Sequence, residues 1–277
     1  MGWISRLRGA HYAKKLIQEA ENKTAILKPL FDLEIGIFFA SWQSAEELRE
    51  CLSKMPLTKY GTISEEKRHY IFLEFLFFFL HFTSRQAYGR LPQAKANSLI
   101  QTIGESLLSS VIDVFIGHWP EEYKTRIRSE TYDNLNQAEE EYATCKQLQE
   151  PTLPSGFVRT RLDDTAQLSH LAFHVLRYLR PEIDATQIDT ETAVLAGMVE
   201  LFVTSKLVDG KGVPNSDLVP AMSYGTLDAL GLRVDGANAA VEAYEHDGRS
   251  LQEARREARE VILKEMAAIP KSAVPSV

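Results

Sequence analysis

Apolar side chains recur at steps of three and four along almost the whole chain, the spacing that aligns one face of an α-helix. Trp3, Leu7, Ala10, Ala13, Ile17 and Ala20 predict a first amphipathic helix, with Arg6, Lys14, Lys15 and Glu19 off its stripe. A second pattern runs from about Lys28 to Trp42. Ser44 followed by Glu47 has the form of a capping box, so a fresh helix is expected there, carrying Leu48 and Leu52 and ending before Pro56. Thr62 with Glu65 repeats that form.

From about Ser64 to Tyr88 the chain is at its most apolar: Phe72, Leu73 and the run Phe75 to Leu80 leave little polar surface. A helix apolar nearly all round is buried on most sides, so this segment is expected to be the central core helix. Pro92 suits the first turn of the next helix, whose stripe is Leu99, Ile103, Leu107, Val111 and Phe115 and which Gly117 stops. Pro120 opens a Glu-rich helix to about Leu148 with the thin stripe Tyr123, Ile127, Leu135, Ala138, Tyr142 and Cys145. Pro151, Pro154, Ser155 and Gly156 mark a linker over 149–161. Beyond it, one helix is capped by Asp164 and ended by Pro181, and a second begins at Asp189. A short one is closed by Gly231, and a last stretch starts near Gly236. The tail 269–277 is expected to be mobile.

The fold class is therefore all-α: an irregular multi-helix bundle over 1–148 around the Phe-rich helix, with 162–268 as a second, smaller helical layer or domain. Composition agrees, with 44% apolar and 25% charged residues among 277. A net charge of −7 argues against nucleic acid as a partner, because phosphate binding needs a dense basic surface. Two isolated cysteines, Cys51 and Cys145, imply neither a disulfide framework nor a zinc knuckle and fit a reducing compartment, with the cytoplasm as the default. The run Ile71 to Phe82 is too short to span a bilayer, which takes about 20 apolar residues.

Candidate chemistry is sparse. On the core helix, Tyr70, Glu74, His81, Arg85 and Tyr88 fall within roughly 40° of one line, one polar stripe on an otherwise apolar element. The stripe Tyr70, Glu74, His81 and Arg85 is expected to be either a structural hydrogen-bond ladder or a ligand or acid–base site, with Glu74, His81 and Arg85 acting as a unit. Glu34 is positioned to face Glu74 across two helices, but a di-metal carboxylate centre needs two Glu-x-x-His motifs, and Glu66 to His69 supplies one. His170 and His174 have the four-residue spacing of a zinc pair, yet both point away from the apolar face of their helix and are expected to be solvated. Asp209 to Gly212 lacks the spacing of a phosphate loop. With no nucleophile beside an oriented base, no metal, cofactor or catalytic residue is expected.

The favoured expectation is a non-catalytic helical protein that binds a protein partner or a second copy of itself, through Tyr123, Ile127, Leu135 and Tyr142 ringed by Glu121, Glu122, Glu130 and Glu139 to Glu141. A small-ligand binder or enzyme using Glu74, His81 and Arg85 is the alternative. A membrane-surface role for the N-terminal helix comes third: residues 1–30 carry six basic against two acidic side chains, but Ala10, Ala13 and Ala20 offer little area to lipid.

Overall fold

A computed structural model describes residues 27–55, 60, 63–116, 120–145, 161–162, 166–208, 227–246 and 251. Among these residues the regular structure is helical: α1 (Lys28–Lys54), α2 (Glu65–Arg90), α3 (Gln93–Ile116), α4 (Glu121–Thr144), α5 (Gln167–Leu179), α6 (Thr190–Val208) and α7 (Leu227–His246). The expected helix before residue 27, the linker over 149–160, the Asp164 cap, the Asp209 to Gly212 loop and the tail lie outside the described residues.

Local chemistry sets several helix ends. Ser64 caps α2, its hydroxyl accepting from the Lys67 N–H at 3.2 Å. Asp189 does the same for α6, accepting from the Thr192 N–H at 2.8 Å. Two expected breaks do not occur. Ser44 starts no new helix: its hydroxyl and that of Ser41 donate back to the carbonyls of Ala40 and Ile37 at 2.8 and 2.7 Å, and α1 runs through both. Mid-helix serine answers its own backbone in this way once the surrounding face is buried. Gly231 and Gly236 likewise leave α7 continuous. Helix propensity charges a glycine about 1 kcal/mol, and burial of Val234, Ala237, Val241 and Tyr244 outweighs it.

The core is one contiguous cluster. Phe38 of α1, Phe72, Phe75 and Phe79 of α2, Ile103 of α3, Leu171 and Val175 of α5, Val199 of α6 and Val234 of α7 all belong to it. α2 packs against α1, α3, α4, α5 and α7, and α6 packs on α5 and α1, so helices from both sides of the 149–161 segment share the same interior. Phe38 meets Phe72 edge-on at 5.5 Å. Polar pins cross the seams: Ser169 donates to Glu200 at 3.0 Å between α5 and α6, and the buried Lys206 ammonium of α6 meets Glu47 of α1. No helix among the described residues is long and apolar enough to cross a membrane.

α4 is acidic and mostly exposed, laid across α2 and α3 by Thr131, Ala138 and Tyr142. Its last turn matters for the site: Glu141 and Tyr142 there touch the polar histidines of α5.

Candidate functional site

Glu74 sits between Leu73 and Phe75 on α2 and is buried, so its side chain needs an internal partner. Tyr178, at the end of α5, supplies it: the phenol donates to Glu74 Oε1 at 3.1 Å, while its ring stacks flat on Tyr70 at 5.4 Å. Burial raises the Glu74 carboxyl to a pKa of about 7. The Tyr178 hydrogen bond and Arg177 oppose that rise, and the Glu141 charge adds to it. Burial and the neighbouring Glu74 in turn push the Tyr178 phenol upward.

His81, two turns further along α2, has different partners. Its Nδ1–H donates to Glu139 Oε2 at 2.9 Å, and its Nε2 accepts from the Gln167 amide at 3.3 Å. Tyr142 closes over it, ring on ring at 5.4 Å, and presents an edge to Phe78 and to His170. The expected Glu74–His81–Arg85 unit therefore does not form. Glu74 and His81 point to separate partners, and Arg85 lies at the surface. Glu34 accepts from Ser106 of α3 at 3.0 Å and is not brought to Glu74.

The α5 face carrying Gln167, His170, His174 and Tyr178 is where the structure corrects the sequence most. These residues follow one another at steps of three and four, opposite the helix's apolar stripe. The histidines are half-buried rather than fully solvated, because Glu141 and Tyr142 at the end of α4 reach them. Glu141 of α4 places one oxygen, Oε2, 3.3 Å from the Nε2 of His170 and 3.3 Å from the Nε2 of His174. The two imidazoles are 4.4 Å apart, tilted by 45°. Burial and the neighbouring His170 hold His174 down at a pKa of about 4, against the pull of Glu141. Among the described residues this is the group of three whose side-chain donors converge as metal ligands would.

Between α2, α4 and α5 a cleft of about 300 Å³ opens beside this group, lined by Glu74, Asn134, Glu141, His174, Arg177 and Tyr178. Two carboxyls, an imidazole, a guanidinium, a phenol and the amides of Asn134 and Gln137 thus face one small volume beside the apolar Phe77, Ala138 and Pro181, of the size of the smaller ligand pockets. The Arg177 guanidinium also lies over the Phe173 ring at 5.5 Å.

The stripe expected to serve an interface divides. Tyr142 is 2% exposed, walled in by His81, Phe78 and His170, and Leu135 packs on the core. Tyr123, at the other end of α4, is 47% exposed, with the Arg126 guanidinium over its ring at 5.2 Å.

Sequence reasoning missed Glu141, Glu139, Gln167 and Tyr178. The signal for the α5 residues was present in the spacing 170, 174, 178; nothing in the acidic run 139–141 marks which carboxylate turns inward. No protein-family model, no curated protein and no solved structure matches this chain.

Proposed function

We propose that the chain binds a small polar molecule in the cleft between α2, α4 and α5. The observation that supports this is the convergence of Glu74, Tyr178, Glu141, His174 and Arg177 on one cavity of about 300 Å³. Ligand pockets place a few convergent polar groups on one small volume, and here the charged ends border such a volume. The lining has both signs, which suits an amphoteric ligand: a donor-rich end toward Glu74 and an acceptor or anionic end toward Arg177. Glu74, poised between its two protonation states near neutrality, would serve as donor or acceptor to the same ligand.

The test is a thermal-shift and saturation-transfer NMR screen with three probe classes: zwitterionic amino acids, small amines and small carboxylates. A zwitterion is expected to protect the wild type and to lose its effect in Arg177→Gln and in Asn134→Trp, which narrows the mouth. Protection by no class, or protection unchanged in both variants, would overturn the reading.

The partner-binding reading keeps one observation in its favour, the exposed Tyr123 beside Arg126 at the start of α4. Sedimentation of the wild type against Tyr123→Ala tests it for self-association. An unchanged distribution would remove that support.

A further inference from the structure

The structure assigns a binding site for a zinc-class divalent cation to Glu141, His170 and His174, three side chains that meet where the last turn of α4 reaches α5. The inference deepens the cleft reading, on which it rests in one respect: Glu141 and His174 also line the cleft, so the open coordination position faces that volume.

The geometry of the trio fits a metal site as well as a hydrogen-bonded network. One carboxylate oxygen stands at 3.3 Å from two different imidazole nitrogens. That distance is at the long end for a hydrogen bond, which His170 makes to this oxygen. It matches the separation of two ligand atoms on one tetrahedral ion: with metal–ligand distances of about 2.0–2.1 Å, the edge of the tetrahedron is roughly 3.3–3.4 Å. Both edges to Glu141 have that length, and all three donor atoms lie within 4.8 Å of one another.

The chemistry of the donor set agrees. Two imidazoles at i and i+4 on one helix, with a carboxylate from another, are the donors that suit zinc and its first-row neighbours, whereas calcium and magnesium take oxygen ligands. Three protein ligands leave a fourth position for water or substrate, the arrangement of zinc sites that bind or activate a ligand. Here that position has Glu74 and Tyr178 across the cleft, two groups able to hydrogen-bond what the ion holds. Among the described residues Arg177 is the cation lining the cleft, and its guanidinium extends over Phe173. The anchoring is rigid on one side: Tyr142, buried beside Glu141, sets its edge against the His170 ring at 5.1 Å.

The test is titration of the full chain, freed of metal by chelator, with Co(II) followed by its visible absorption, and with Zn(II) followed by calorimetry. The expected result is one ion per chain with the intense absorption of tetrahedral Co(II), displaced by Zn(II). Loss of a partner outside the ligand set already costs metal sites about 10–100-fold. Glu141→Gln and His174→Ala are therefore each expected to weaken binding by on the order of 100-fold or more, while the exposed Glu140→Gln leaves it unchanged. Melting curves of the apo variants establish that they are folded, and Zn(II) is expected to raise the melting temperature of wild type and Glu140→Gln alone. A weak octahedral Co(II) spectrum, or an affinity that Glu141→Gln and His174→Ala leave intact, overturns the assignment. Zinc binding with no protection by any of the small-molecule probes, in the presence of zinc, supports this site and removes the cleft reading. Protection without zinc binding does the reverse.

Discussion

The Tyr178 phenol donates to Glu74 at 3.1 Å, joining the last turn of α5 to the middle of α2. Replacing Tyr178 by Phe keeps the ring that stacks on Tyr70 and removes only the donor. The hydrogen bond favours the charged carboxylate, so its loss should raise the Glu74 pKa above its present value of about 7. The expected stability loss is about 0.5–1.5 kcal/mol at a pH where Glu74 is neutral. Carboxyl carbon NMR checks the first outcome and urea unfolding the second. A Glu74 pKa that falls in Tyr178→Phe would contradict the pairing.

Glu74 should also leave a mark on the pH dependence of stability. Its folded pKa, about 7, lies above the value of 4.5 for an ordinary glutamate. Between these values the folded state holds a proton that the unfolded chain has lost. The stability this group contributes is therefore complete below about pH 4.5 and lost as the pH rises through about 7, a swing on the order of 3 kcal/mol. His174 acts in the opposite direction: held near a pKa of 4, it favours the fold above its ordinary value of 6.5 and loses that contribution as the pH falls toward 4. Glu74→Gln isolates the first effect. The difference between wild-type and Glu74→Gln unfolding free energies should decline from pH 4.5 to 7.5; a flat difference would place Glu74 in water.

The central helix should behave as core. Phe79 and Leu76 are both fully enclosed, so replacement of either by Ala should cost about 2–5 kcal/mol. Urea midpoints equal to wild type would move the core elsewhere.

The polar stripe of α2 should separate into unequal members. His81→Ala removes the contacts to Glu139, Gln167 and Tyr142 and should cost about 1–3 kcal/mol, since the remaining partner Glu139 keeps access to water. Arg85→Ala, at an exposed position, should change stability by no more than about 0.5 kcal/mol. A large coupling energy between the two in a double-mutant cycle would restore the joint unit.

The spacing of apolar residues made the helices legible, because a period of 3.6 depends only on near neighbours. Leu76 and Phe79 could be placed in the core, and Pro92 and Pro120 at helix starts, on that basis. Ser44 and Gly231 misled for the opposite reason: cap and breaker chemistry is local and weak, and burial of the flanking faces outweighs it. Part of the site was visible as Glu74, a carboxyl stranded on an apolar helix, and as the four-residue spacing of His170 and His174. Their partners were not. Tyr178 and Glu141 come from helices far along the chain, and the α5 face that bears His170 and His174 has the pattern of a solvated surface until the last turn of α4 reaches it. Composition of one helix cannot show which polar face another helix will reach.

The central claim is that α4 and α5 bring Glu141, His170 and His174 together into a ligand-holding site beside the Glu74 cleft. X-ray diffraction from crystals grown with Zn(II), recorded on either side of the zinc absorption edge, tests it most directly. The account predicts one anomalous peak about 2.0–2.2 Å from Glu141 Oε2 and from the Nε2 atoms of His170 and His174, with its fourth ligand pointing into the cleft. Full zinc saturation with no peak among these three side chains, and with both imidazoles still resting on the Glu141 carboxylate, would contradict it.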